Sequence, residues 1–246
     1  MAHFYLQESL RAAESRPGQV VTVDGPEARH AVTVSRVRPG DRLRLGNGAG
    51  LLLEGAVLTA EAAQLTLRVD DASETRAATP RIHLVQALAK GDRDELAIQA
   101  ATELGVDGVI PWSAARSITK WDGPKIAKGH ERWSSIVREA SKQSIRAWLP
   151  SVAPLTSTKQ LAVLAATTRM LLLDPTATGR LTEVAVPTDD RDILLVVGPE
   201  GGISPAELLV LEQAGARAVR LGDTVLRTST AGPAALAILN ATLGRW

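Results

Sequence analysis

The stretch Ile193-Leu194-Leu195-Val196-Val197-Gly198-Pro199-Glu200-Gly201-Gly202-Ile203-Ser204-Pro205-Ala206-Glu207 constrains the fold of this chain more than any other. Five consecutive aliphatic residues predict a strand buried on both faces, as in a parallel sheet. A turn with three glycines follows. A helix then opens with a capping box: Ser204 at the N-cap, Pro205 at the first position, Glu207 at the third. Strand, glycine turn and helix form the unit at which open α/β sheets take up ligands, beyond the carboxyl ends of their strands. Two readings fit: a tight turn with no ligand, and a loop whose backbone approaches one closely. The spacing matches neither a P-loop nor the Gly-x-Gly-x-x-Gly dinucleotide pattern. Glu200 would also repel a phosphate, so a ligand without phosphates suits the loop better.

A second unit of the same kind follows. Ala218-Val219-Arg220-Leu221-Gly222 is another short strand ending in glycine. After Asp223-Thr224-Val225-Leu226-Arg227-Thr228-Ser229-Thr230-Ala231-Gly232-Pro233, a helix is expected from about Ala234, with Leu236, Leu239 and Leu243 among its apolar positions. The hydroxyls before it either cap the helix or line a site. Upstream, Ile82–Leu88, Val106–Pro111 and Met170–Leu173 are predicted strands, and Asp92–Leu104 and Glu131–Ile145 predicted helices. This half reads as α/β. Residues 70–80 are polar, lack an apolar period and end in Pro80, as a linker does. Before them, Val20–Val23, Leu43–Leu45, Leu51–Leu58 and Gln64–Val69 are short predicted strands punctuated by Gly, Pro, Asn and Asp, as in a small barrel or sandwich. His30–Val37 fits a strand or two turns of helix.

The chain has 246 residues, 45% hydrophobic and 22% charged, with a formal net charge of +1. That composition supports a core and excludes a uniformly basic, histone-like protein. With no cysteine, disulfides, zinc–thiolate sites and cysteine nucleophiles are excluded. No apolar run reaches membrane-spanning length and no signal peptide is evident, so a cytoplasmic protein off the membrane is expected.

Gly198-Pro199-Glu200-Gly201-Gly202, Leu221-Gly222 and Leu226-Arg227-Thr228-x-Thr230-Ala231 together resemble the C-terminal signature of the SPOUT methyltransferases, and within them most closely the RsmE family. Thr102-Glu103-Leu104-Gly105-Val106, Arg138-Glu139-Ala140-x-x-Gln143-Ser144-x-Arg146, and Arg29-His30 leading to Pro39-Gly40-Asp41 resemble other segments of that family in the expected order. Two positions depart from its pattern: the family often has an acidic residue where Ser229 stands, and Glu where Lys142 stands.

The resemblance implies a PUA-like β-barrel over residues 1–74 that binds RNA. It implies a SPOUT α/β domain over 80–246 with a deep trefoil knot at about 170–246. The implied activity is methylation of N3 of a uridine in 16S rRNA near the decoding centre, uridine 1498 in standard rRNA numbering. S-adenosylmethionine would be bound by Leu173, Gly198, Pro199, Gly201, Gly202, Leu221, Gly222 and Leu226. The small ribosomal subunit is the implied partner and a homodimer the implied form, with no metal. Two alternatives stay open: another SPOUT RNA methyltransferase, acting on a ribose 2′-oxygen, and a non-catalytic ribosome-assembly factor.

Between Trp112 and Pro150 stand eight basic residues against three acidic ones, with four of the five tryptophans. Arg138, Lys142 and Arg146 recur at every fourth position, as on one helix stripe. Such a stripe is either a solvated face or a phosphate-contacting one. With Arg116 and Lys120, it forms the candidate RNA surface. Trp133 falls in the apolar register, whereas Trp121 is expected to be exposed.

Uracil N3 must lose a proton and meet the methyl carbon in line at roughly 3–3.5 Å. The histidines His3, His30, His83 and His130 lie outside the C-terminal signature. The candidate catalytic groups are therefore Glu200, Arg227 and Thr228, with Arg227 placed to stabilise a uracil oxyanion. No His/Asp/Glu cluster has metal-ligand spacing.

Overall fold

A computed structural model describes residues 3–185 and 189–246. The chain divides into two compact units, Met1–Ala77 with Ser141–Leu149, and Ala78–Ala140 with Pro150–Trp246.

The first unit is built on a mixed five-stranded sheet in the order β1-β3-β4-β5-β2. Its strands are β1 (His3–Leu6), β2 (Val20–Asp24), β3 (Arg42–Gly46), β4 (Leu51–Glu61) and β5 (Gln64–Glu74). β1 runs parallel to β3, and the other neighbours pair antiparallel. Residues alternate between buried and exposed along β2, and between buried and half-buried along the first part of β4. The buried set, including Val23, Leu43, Leu45, Leu53, Leu65 and Leu67, forms one core. Residues 30–34 are helical, a π-type turn continuing α1 (Gly25–Arg29), which settles the ambiguity at His30.

The expected linker is shorter than residues 70–80, because β5 continues to Glu74. Glu54 pairs with Asp71 and Gly55 with Val69, so Asp70 is the extra residue of a β-bulge. The bulge breaks the two-residue alternation, which hides the rest of the strand from a periodicity reading. The expectation of an uninterrupted second domain over 80–246 also needs correction: Ser141–Leu149 counts with the first unit. The Gly50 N–H donates to the Ala147 carbonyl at 2.9 Å and the Leu149 N–H to Gly48 at 3.0 Å. Trp148 donates its indole N–H to the Thr75 carbonyl at 2.8 Å.

The second unit holds a seven-stranded sheet, parallel at every pairing, in the order β12-β10-β11-β6-β7-β8, with β9 also on β7. Its strands are β6 (Ile82–Ala87), β7 (Gly108–Ser113), β8 (Ser151–Val152), β9 (Thr156–Ser157), β10 (Arg169–Leu173), β11 (Ile193–Val197) and β12 (Arg217–Val219). The helices are α2 (Arg93–Glu103), α3 (Pro124–Gln143, whose last three residues count with the first unit), α4 (Thr158–Ala165), α5 (Pro205–Gln213) and α6 (Thr228–Thr242). All five residues of β11 are buried, as the unbroken apolar run requires. α5 begins with the expected capping box, Ser204 with Glu207.

α6 starts at Thr228, six residues before the expected Ala234, and carries Pro233 inside it. Pro233 forgoes one backbone bond. The helix start is fixed instead by Thr228, whose hydroxyl donates to the Gly198 carbonyl at 2.8 Å and accepts from Gln86 Nε2 at 2.9 Å. Among the described residues no helix is long and apolar enough to cross a membrane.

Candidate active site

A cavity of about 720 Å³ lies where β10, β11 and β12 end, lined by their last residues Leu173, Val197 and Val219. All eight residues named for the donor, Leu173, Gly198, Pro199, Gly201, Gly202, Leu221, Gly222 and Leu226, line it. Glu200, Arg227, Thr228 and Arg116 line it too. Two lining features escaped the sequence reading. One is the turn after β10, where Thr176 donates its N–H and hydroxyl to Asp174 Oδ1, each at 2.7 Å. The other is Arg93, in the first turn of α2. Asp174-Pro175-Thr176 after an apolar run was the available signal for the first.

The glycines do different work. At Gly198 a Cβ would stand 2.9 Å from the backbone nitrogen of Ile203, so the tight turn itself excludes a side chain. At Gly201 it would meet the Arg116 side chain at 3.3 Å. A larger residue there therefore displaces Arg116, and its effect on ligand binding is indirect. At Gly222 a Cβ would meet nothing within 4 Å.

Glu200 is held from two sides: Oε1 accepts from Arg93 at 2.6 Å and from the Lys90 N–H at 3.0 Å. Burial pushes its pKa up, but its own backbone N–H, Arg93 and the Lys90 N–H outweigh that and hold it below the ordinary range. Glu200 is thus an ionised clamp and a weak base. The Thr228 hydroxyl is committed to Gly198 and Gln86, so it ties the glycine turn to α6. Arg227 is exposed at the head of α6. No described histidine side chain lines the cavity.

Asp94, buried at the start of α2, accepts from the Ala89 N–H at 3.2 Å and the Glu95 N–H at 2.9 Å. Burial raises its pKa to about 6, partly offset by those bonds. The folded chain therefore binds more protons than the unfolded one between about pH 4 and 6. This contribution to stability is present below the unfolded pKa and is lost as pH rises through about 6. Asp94→Asn should remove a loss on the order of 2–3 kcal/mol across that window. Urea unfolding at pH 4.5 and 7.5 checks it; equal pH dependence in wild type and variant would contradict it.

The basic stripe does not survive as one surface. α3 ends at Gln143, and Arg146 lies beyond it, after Ile145 at φ 53°. Lys142 pairs with Glu27 at 3.4 Å, both side chains nearly buried. Arg138 is half-buried on α3. The tryptophans are structural: Trp112 and Trp133 are buried, and Trp121 is half-buried edge-to-face on Trp133, not freely exposed. Arg116 lines the cavity and donates to the Gly201 carbonyl at 2.8 Å, and Lys120, four residues on, is exposed.

The chain matches two family models: an RNA methyltransferase domain over residues 76–240, which takes in the parallel sheet and its glycine-lined cavity, and an RNA methyltransferase PUA domain over residues 23–70. The ribosomal RNA small subunit methyltransferase E of Mycobacterium bovis is 45% identical over 93% of this chain and 89% of its own length. That of Bacillus subtilis is 28% identical over 98% and 96%. The crystal structure of the Neisseria gonorrhoeae enzyme of that name, bound to S-adenosyl methionine, superposes with a TM-score of 0.84 at 28% identity, covering 98% of both chains. The chain belongs to the ribosomal RNA small subunit methyltransferase E family.

Proposed function

We propose that the protein transfers a methyl group from S-adenosylmethionine to N3 of a uridine in 16S rRNA, uridine 1498 in standard rRNA numbering. The observation that carries this reading is the convergence on one cavity, at the sheet's carboxyl ends, of all eight residues that the sequence names for the donor. The cavity suits the donor chemically. Leu173, Val197, Val219 and Leu226 offer apolar walls for adenine and a thioether chain, and Asp174 adds negative charge for a cationic sulfonium. Bound there, the donor supplies an electrophilic methyl carbon.

The chain's own residues do the rest. Glu200 and Arg93 fix the glycine turn against the loop at Lys90. Thr228 holds that turn to α6, which sets the place of Arg227. Arg227 offers a fixed positive charge for the negative charge that grows on uracil's carbonyl oxygens as N3 loses its proton. Arg116 and Lys120 hold phosphates, and Lys142 is spent on Glu27. The substrate implies a cytoplasmic location. Nucleoside mass spectrometry of 16S rRNA from a deletion strain tests the reading: loss of 3-methyluridine is expected, and loss of a 2′-O-methyl nucleoside instead would overturn it.

The active form is a homodimer, and the segment 170–246 is knotted. The knot is supported by the path after β12, where Arg220 bonds Gly179 and Leu181 through its backbone, both at 2.9 Å. The dimer is supported by α6, which buries Leu236 and Leu239 yet leaves Ala241 exposed and Ile238 half-covered. A two-fold interface repeats any introduced charge against itself. Ala241→Glu should convert dimer to monomer in sedimentation and abolish methylation. A fully active wild-type monomer would refute this.

A further inference from the structure

The loop between β7 and α3 is held at both ends. Glu207 Oε1, beyond its capping role, accepts the Ala115 N–H at 2.8 Å. Arg116 bonds Gly201, and the Thr119 hydroxyl donates to the Ala89 carbonyl at 2.7 Å. Ser117 is buried. Further on, Trp121 packs on Trp133 and sits so close over Gly129 that a Cβ there would overlap its ring. Between these anchors Ile118 stands 71% exposed. A lone exposed isoleucine needs no explanation of itself. This one is presented by a pinned loop, two residues beyond a residue that lines the cavity. Its neighbours Arg116, Lys120 and Lys90 are cations suited to phosphates.

An enzyme that alkylates a ring nitrogen in the base-pairing edge acts on a single-stranded base or draws its target out of the stack. Proteins that unstack bases insert an apolar side chain between them. We infer that Ile118 is a wedge that occupies the space vacated by the target base, while Lys90 and Lys120 grip the flanking RNA backbone. This rests on the RNA-methylating reading of the cavity and adds to it how the base is presented.

The test uses small ribosomal subunits from a strain lacking the enzyme, with tritiated methyl transfer measured under single- and multiple-turnover conditions. Ile118→Ala should lower kcat about tenfold or more, with KM within about twofold, because a wedge acts after docking. Ile118→Leu should restore most of the rate. Lys90→Ala with Lys120→Ala should raise KM about tenfold and flatten the salt dependence of binding. Donor affinity and melting temperature should match wild type throughout. A wild-type kcat in Ile118→Ala, or a raised KM alone, would overturn the wedge. So would dissociation of an oligomer by Ile118→Asp, which would place the residue in a subunit interface. An inactive wild type would instead overturn the underlying reading, and the wedge with it.

Discussion

Arg227→Ala is expected to lower kcat for methyl transfer by about 10²–10³-fold while donor affinity changes little. Loss of the N3 proton spreads negative charge over two carbonyl oxygens of the uracil. A cation fixed in place beforehand stabilises that charge without reorganising at the moment of reaction. The neighbour of Arg227 fixes the point from which its cation is presented. Thr228 is tied to β11's turn and to β6 by hydrogen bonds of 2.8 and 2.9 Å, so the backbone at residue 227 is placed by two strands. No described side-chain ion pair involves Arg227. Arg227→Lys keeps the charge but loses the planar fork, and should fall between wild type and alanine. Single-turnover transfer to unmethylated small subunits measures the effect. If alanine raises KM for the subunit and leaves kcat intact, Arg227 is a phosphate contact and the electrostatic role is excluded.

The cavity was legible because its residues obey local rules. An unbroken aliphatic run, a glycine turn and a capping box are all read within fifteen positions, and seven of the eight residues expected to hold the donor sit in that unit and the glycine-ended unit after it, with Leu173 alone at the end of β10. What escaped depended on partners far along the chain. Glu207 reads as a capping glutamate, and nothing local tells that its second oxygen holds the loop at Ala115, 92 residues away. Lys142 reads as a surface cation on a regular stripe, and only Glu27, 115 residues back, removes it from solvent. The early start of α6 has the same origin: Pro233 argues against a helix locally, while Gln86 and Gly198 supply the anchor. The late end of β5 was hidden by one bulged residue, Asp70, which shifts the alternation out of phase.

Gly222→Val should weaken S-adenosylmethionine binding by about 10- to 100-fold and leave the fold intact. Gly198 and Gly222 differ in what surrounds them. Both line the same cavity, yet a side chain at 198 collides with the backbone of its own turn at 2.9 Å, so Gly198→Val should lower the melting temperature. At 222 no protein atom lies within 4 Å of the added carbon, and the position needs no left-handed backbone. Neither packing nor conformation therefore requires glycine there. The remaining requirement is the space itself, and a valine placed in space that a ligand fills meets the overpacking cost of about 1–3 kcal/mol. Calorimetry with the donor, alongside thermal unfolding of both variants, separates the cases. Wild-type affinity in a folded Gly222→Val variant would show that the donor does not occupy this part of the cavity. A matching fall in melting temperature for both variants would show that Gly222 serves the turn and not the ligand.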